Sequence, residues 1–350
     1  MKNKQIISEV LKNIRKLYSV AEKAKLFAKV ENGYLSQNFI LQNNDNKLFL
    51  KQYRFDDLKK IKEIHQTKFF FANGNIPVIL PIQNKKGDFI FEQGKKFYSL
   101  FPFVEGRIIQ RVGRSRKAFK SAGQMLAKIH TLTKNGHPDI IHNYAKGWKK
   151  EEFLSEAKTI KQRIEATLVK TDFDKLALDT LEHKLKLVSE NNLRYEKFNL
   201  CNDHIIHGDY HGQNIFYDEN DEVKYVFDIE KTKISPRVLE IARSMDFMCF
   251  SNNYEAKNFE DANTYLAAYN NIYPISKGNL IQGIKAYYLK KAHSLWIERE
   301  HYININLRVD CFLEGELLML KYYSQNFDEF VGKLKINSHR AIISHLPKIK

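Results

Sequence analysis

The stretch His204-Ile205-Ile206-His207-Gly208-Asp209-Tyr210-His211-Gly212-Gln213-Asn214-Ile215-Phe216-Tyr217, followed by Tyr225-Val226-Phe227-Asp228-Ile229-Glu230, decides how this chain is read. An apolar pair leads into a tight polar loop, and an apolar run leads out. Asp209 and Asn214 are five positions apart, a loop length that can turn both side chains toward one point. Asp228 follows Asn214 by fourteen residues and ends a buried-looking strand. His207 and His211 have the i, i+4 spacing of a helical zinc pair, but Gly208 and Gly212 argue for a loop instead.

One acid to orient a hydroxyl, and one amide and one acid to hold a hard cation, are what phosphoryl transfer requires. Mg²⁺ takes oxygen ligands and shares them with substrate phosphates. The reaction needs positioning and charge neutralisation more than covalent help. The pattern H-G-D-x-H-x-x-N followed by F-D-x-E resembles the aminoglycoside phosphotransferase and choline kinase family, the small-molecule branch of the protein-kinase-like fold. Protein kinases carry the parallel H-R-D-x-x-x-x-N and D-F-G elements. The resemblance implies that Asp209 is the catalytic acid that orients or accepts the substrate hydroxyl proton. It implies that Asn214 and Asp228 are the metal ligands, and that His207 and His211 brace the loop. Glu230 stands where many members have an acid near the metal. Gly208 stands in place of the arginine that receives activation-loop phosphate in protein kinases, and no A-P-E segment follows. The resemblance therefore implies a constitutively active small-molecule kinase. Glu240-Ile241-Ala242 replaces the family's D-L-A triplet, with Glu240 expected to brace the catalytic loop.

Working toward the N-terminus, residues before about 105 read as short strands: 26–31, 37–42 and 47–53, separated by turn-rich segments. A helix follows from about Phe55 to Ala72, and then IPVILPI, DFIFE and KKFYSLFPFV read as three more strands. In KLFLKQY, alternation places Phe49, Lys51 and Tyr53 on one face. A mid-strand lysine among apolar residues is expensive without a partner. The resemblance makes Lys51 the lysine that pairs with ATP phosphates and makes Glu63, on the inserted helix, its acidic partner. It makes Gly33 to Asn38 the phosphate-covering loop, with Ser36 as a contact, and residues 101–106 the hinge. There, backbone groups of Phe103 and Val104 would meet the purine edge. Gly123-Gln124-Met125-Leu126-Ala127-Lys128-Ile129-His130 matches the family's G-x-x-L-A-x-x-H helix.

After Gly106 the chain is mostly helical: 115–133, two charged helices over about 148–192, and further helices to about 335, interrupted by the β-rich island at 204–230. The densest mix of aromatic and acidic residues in the late helices is Trp296 to Tyr302, followed by Asp310, Glu314 and Glu316. Such a wall could hold a cationic amine.

The chain has 350 residues, 43% of them hydrophobic, enough for two lobes with a sizeable core. The formal charge is +16, but the lysines are spread over the whole chain with no dominant basic run, so no specific nucleic-acid partner is expected. The three cysteines are far apart and suggest a reducing compartment. The N-terminus reads as an amphipathic helix with Ile6, Ile7, Val10, Leu11, Ile14 and Leu17 on one face, and no apolar run is long enough to span a membrane.

Together these readings predict an α+β, two-lobed, protein-kinase-like fold: a β-rich N-lobe at 1–105 and a larger helical C-lobe at 106–350. The expected activity is ATP- and Mg²⁺-dependent phosphorylation of the hydroxyl of a small metabolite, such as an amino alcohol, a homoserine-like compound or a sugar, in the cytoplasm. The rival readings are an aminoglycoside-type antibiotic phosphotransferase and a non-catalytic structural protein of the same fold. Retention of Lys51, Asp209, Asn214 and Asp228 argues against the last.

Overall fold

Alternating apolar residues between positions 25 and 102 build an antiparallel sheet in the computed structural model, which describes residues 2–30, 37–134, 139–191, 194–198 and 200–336. The strands are β1 (Lys25–Val30), β2 (Gln37–Asn43), β3 (Asn46–Gln52), β4 (Phe91–Gln93) and β5 (Lys96–Pro102), in the order β1-β2-β3-β5-β4. Two helices accompany them, α1 (Lys2–Leu17) and α2 (Leu58–Asn73). Leu41, Leu48, Leu50 and Leu100 form one face of the sheet, and Val10, Leu11 and Ile14 of α1 pack on it. That pairing leaves Phe49 and Lys51 of β3 on the opposite face, since side chains alternate along a strand. The Asp57 side chain caps α2 by accepting from the backbone N–H groups of Lys59 and Lys60.

The segment IPVILPI is not a strand of this sheet, contrary to the sequence reading. Pro77 and Pro81 cannot donate to a ladder. The segment instead runs between the lobes, where the carbonyl of Pro77 accepts from the N–H of Val226 at 2.8 Å.

The rest of the described chain is largely helical. Its helices are α3 (Arg116–Leu132), α4 (Lys150–Glu165), α5 (Asp172–Glu190), α6 (Arg237–Met245), α7 (Ala256–Asn270), α8 (Lys277–Ala292), α9 (Trp296–Tyr302) and α10 (Leu313–Lys333). Helices α3 and α7 touch so closely that a Cβ at Gly123 would lie 2.3 Å from the carbonyl oxygen of Tyr265. Between α5 and α6 the island forms two short ladders: β6 (His204–Ile206) with β9 (Lys233–Ser235), and β7 (Ile215–Tyr217) with β8 (Val223–Val226). Strand β9 has no counterpart in the sequence reading, because Lys-Ile-Ser is too short to carry a period. Among the described residues no helix is long and apolar enough to cross a membrane.

Two buried imidazoles make this fold acid-sensitive. His65 contacts the Tyr53 hydroxyl at 2.6 Å, and His204 contacts the Tyr273 hydroxyl at 3.1 Å. Burial pushes their pKa values down from 6.5, to about 3 for His65 and about 4 for His204. The unfolded chain therefore binds more protons than the folded one below pH 6.5. Their contribution is fully present above that pH and is lost as pH falls toward the folded values, at about 1.4 kcal/mol per unit for each group. The melting temperature should decline steadily from pH 7 to pH 4.5 in a calorimetric series. A flat profile over that range would contradict the neutral, buried assignment.

Candidate active site

The loop after β6 is shaped by Gly208. Its φ is +79°, in the left-handed region, and a Cβ there would sit 2.1 Å from the carbonyl oxygen of Lys231. An arginine at this position, as in protein kinases, has no room. The loop is held from below by Glu240 of α6, whose carboxylate accepts from the N–H of His207 at 2.9 Å and from the N–H of Gly208. The same carboxylate lies 3.0 Å from Nε2 of His130 on α3. Burial pushes the Glu240 carboxyl up, but the bonds from His130 and Gly208 outweigh it and hold it below its ordinary value. Burial keeps His130 neutral, so Nε2–H donates to Glu240 and Nδ1 faces the Tyr269 hydroxyl at 2.9 Å. The G-x-x-L-A-x-x-H helix thus reaches the Asp209 loop through its histidine.

His207 locks the other side of the loop. Its Nε2–H donates to the carbonyl of Phe227 at 2.9 Å, and its Nδ1 accepts from the N–H of Asp209 at 3.2 Å. The carboxylate of Asp209 is buried and surrounded by basic side chains. Lys231 Nζ is 2.8 Å from Oδ2, Arg243 donates to Oδ1, and His211 Nε2 lies 3.5 Å from Oδ1. Burial alone would raise its pKa. The contact with His211 and the charges of Arg243 and Lys231 reverse the effect and hold the carboxyl far below the usual carboxylate range.

Asn214 is tied to this acid through the backbone, its Nδ2 donating to the carbonyl of Asp209 at 2.9 Å. Its own carbonyl accepts from the N–H of Phe227 at 3.0 Å, which puts Asn214 next to Asp228. Asp228 has φ 57° and ψ 49°, an uncommon conformation for a residue with a Cβ. That turn carries its carboxylate away from β8, and 45% of the side chain stays accessible. Lys51 of β3 reaches it at 3.3 Å and reaches Glu230 at 2.6 Å. Burial raises the Asp228 pKa, and the Lys51 charge outweighs it, for a net lowering. Burial likewise works against the Lys51 ammonium, and the charges of Glu230 and Asp228 more than restore it.

The predicted residues Lys51, Asp209, Asn214 and Asp228 therefore converge, and Glu230 joins them. Glu63 does not. The partners of Lys51 are Glu230 and Asp228, whereas Ile61, Ile64, His65 and Lys68 form the buried face of α2 and Glu63 lies off it. Phe103 and Val104 are half-buried just beyond β5. Lys47 Nζ stands 5.5 Å above the Phe103 ring. Ser36 and Gly33 lie outside the described residues.

The acidic wall expected at 296–316 is not open to a cation. Glu298 and Glu316 both grip Lys184 of α5, at 2.8 and 2.7 Å, and all three side chains are buried. Lys291 also pairs with Glu316. Asp310 pairs with His301 at 3.0 Å, and Arg299 turns away to Glu156. Sequence reasoning missed Lys231 and Arg243. A signal existed for Arg243, which follows Glu240 by one helical turn and so shares its face.

The donor set suits a hard cation. The hydrogen bond to the Asp209 carbonyl uses Nδ2 of Asn214, leaving its oxygen as the atom for a metal. Asp228 offers an accessible carboxylate, and Glu230 Oε1 is buried without a hydrogen bond despite its charge contact with Lys51. Among the described residues no cluster of three His, Cys, Asp or Glu side chains stands ready for a metal ion. Two or three protein oxygens completed by substrate phosphates are the usual arrangement for Mg²⁺.

Comparison with known proteins gives the fold and the family. Among solved structures, the amicoumacin kinase hAmiN in complex with AMP-PNP and Ca²⁺ is 15% identical, covers 94% of this chain and 95% of its own, and has a TM-score of 0.58. A spectinomycin phosphotransferase in complex with ADP and spectinomycin is 15% identical, with 93% and 96% coverage and a TM-score of 0.60. A choline kinase from Cryptosporidium parvum is 11% identical, with 93% and 97% coverage and a TM-score of 0.60. At these identities the likeness establishes the kinase-like fold. No curated protein sequence matches the chain. The model of the phosphotransferase enzyme family matches residues 27–275, which include the whole loop from His204 to Glu240 and the strand of Lys51. The chain belongs to that family, as a phosphotransferase of the aminoglycoside phosphotransferase and choline kinase type.

Proposed function

We propose that this phosphotransferase is an ATP- and Mg²⁺-dependent kinase that phosphorylates a hydroxyl of a small molecule. The observation that supports it is the convergence of Lys51 from β3, Asp209 and Asn214 from the loop after β6, and Asp228 from the turn after β8. Lys51 would bind nucleotide phosphates, and backbone groups at Phe103 and Val104 would take the base. Bound Mg²⁺, held by Asn214, Asp228 and the neighbouring Glu230, would supply neutralisation of phosphate charge. Asp209 would orient the acceptor hydroxyl. Its suppressed proton affinity makes it a weak base, which suits a loose transition state in which little proton transfer has occurred when the P–O bond breaks. Lys231 and Arg243 hold that carboxylate in place and keep it ionised.

The metal assignment is tested by Asp228→Ala. Wild type should bind ATP more tightly with Mg²⁺ than without it, and the mutant should lose that enhancement while remaining folded. Calorimetric titration of ATP with and without Mg²⁺ reads both quantities. If the mutant keeps the full enhancement, the ligand lies elsewhere.

A further inference from the structure

The helical-lobe side of Asp209 carries more positive charge than Asp209 can use. Four basic side chains come from this side: Lys231 just before β9, Lys233 within β9 and opposite Ile206 at the foot of the Asp209 loop, Arg243 on α6, and Lys290 on α8, which packs on α6 with Gly283 against Val238. Lys231 and Arg243 are engaged by Asp209. Among the described residues the side chains of Lys233 and Lys290 make no hydrogen bond and no ion pair, although both are partly buried; only the more distant charges of Glu240 and Asp209 favour the Lys233 ammonium. We propose that Lys233 and Lys290 hold an anionic group, a carboxylate or a phosphate, on the acceptor molecule whose hydroxyl faces Asp209. The proposal rests on the kinase reading above.

The physical argument is one of unmatched charge. Two ammonium groups drawn partly out of water beside Arg243 repel one another and lose hydration, which is costly unless a counter-charge arrives. The cost is visible in both groups. Burial, together with the charges of Lys233 and Arg243, pushes the Lys290 pKa down to about 8. Burial lowers that of Lys233; the Glu240 charge works against the shift, and Arg243 and Lys231 add to it. An anion placed between them would relieve both terms. The acids that border the cluster offer little to a cationic acceptor. Glu240 is committed to the loop, as described. Asp246 is sealed from solvent, accepts from the Tyr287 hydroxyl at 3.0 Å, and is pushed up to about 6 by burial; only its Oδ1 lacks a partner. The two lysines stand on the helical lobe, whereas the lysine that faces the nucleotide site, Lys51, comes from the sheet.

Four compounds with one propanediol skeleton separate the possibilities: glycerate, glycerol 3-phosphate, glycerol and 3-aminopropane-1,2-diol. ADP release with ATP, and binding to the complex with a non-hydrolysable ATP analogue, would be measured for each. One or both anions should be preferred over glycerol and the amine by about tenfold or more, the scale of a charge-assisted hydrogen bond. Lys290→Met and Lys233→Met should each remove most of that preference through the acceptor KM or Kd, with the ATP KM unmoved, and Lys290→Arg should restore much of it. The carboxylate and phosphate arms tell the two anions apart. Equal handling of all four compounds, preference for the amine, or no binding of either anion would overturn the proposal. So would a lysine variant that changes the ATP KM and leaves acceptor preference intact, since the lysines would then belong to the nucleotide. ADP release with glycerol or the amine would leave the kinase reading standing when the anion assignment falls. Anion binding without any ADP release would do the reverse.

Discussion

Asp209→Asn is expected to lower kcat by on the order of 10²–10⁴-fold, the range for a positioned acid–base group. The substitution keeps the size of the side chain and its place above His207, so the loop should hold its shape. It removes the negative charge that Lys231 and Arg243 now neutralise. It also removes a like charge that disfavours ionised Asp228. Affinity for Mg²⁺–ATP should therefore be equal to that of wild type or higher, while turnover collapses. Steady-state kinetics with an acceptor in hand, alongside ATP titration, reads both effects. A kcat within threefold of wild type would remove Asp209 from the chemistry.

Glu240→Ala should destabilise the fold by about 3–5 kcal/mol, the cost of deleting one member of a buried charged network. Three donors lose their acceptor at once: the N–H groups of His207 and Gly208, and Nε2–H of His130. Solvent does not reach the His130–Glu240 pair, whose side chains are sealed at 0% and 2% exposure. Glu240→Gln, which retains an acceptor oxygen, should cost less than half as much. Urea unfolding with an unchanged m-value measures this directly. If Glu240→Ala unfolds at the wild-type midpoint, the loop is braced by something else.

The parts of this molecule that could be read in its sequence are those set by local spacing. Asp209, Asn214 and Asp228 lie within twenty residues of one another, and a tight loop followed by a hairpin leaves few ways to separate them. The antiparallel sheet and α1 were legible because alternation and helical period state which face is buried. What the pattern does not state is what that face meets. Lys51 needed a carboxylate, and Glu63 was the nearest acid on the right kind of helix. The actual partner, Glu230, comes from 179 residues away, and α2 turns Lys68 rather than Glu63 toward the interior. The same limit misled the reading of 296–316. An acid-rich helix looks like a solvent-facing wall until Lys184, more than a hundred residues earlier, is found between Glu298 and Glu316.

That buried trio has a consequence for how such a chain can diverge. Losing Lys184 alone would strand two carboxylates in the core, and losing either acid would weaken the compensation for the ammonium, at about 3–5 kcal/mol for a broken buried pair. Replacing all three by apolar residues of matching volume would be close to neutral. The two sound states are therefore separated by intermediates that spend a large fraction of a typical domain's stability of about 5–15 kcal/mol. Drift at positions 184, 298 and 316 is thus contingent: each lineage inherits the charged version or the apolar one, and crosses between them only when stability gained elsewhere permits the passage.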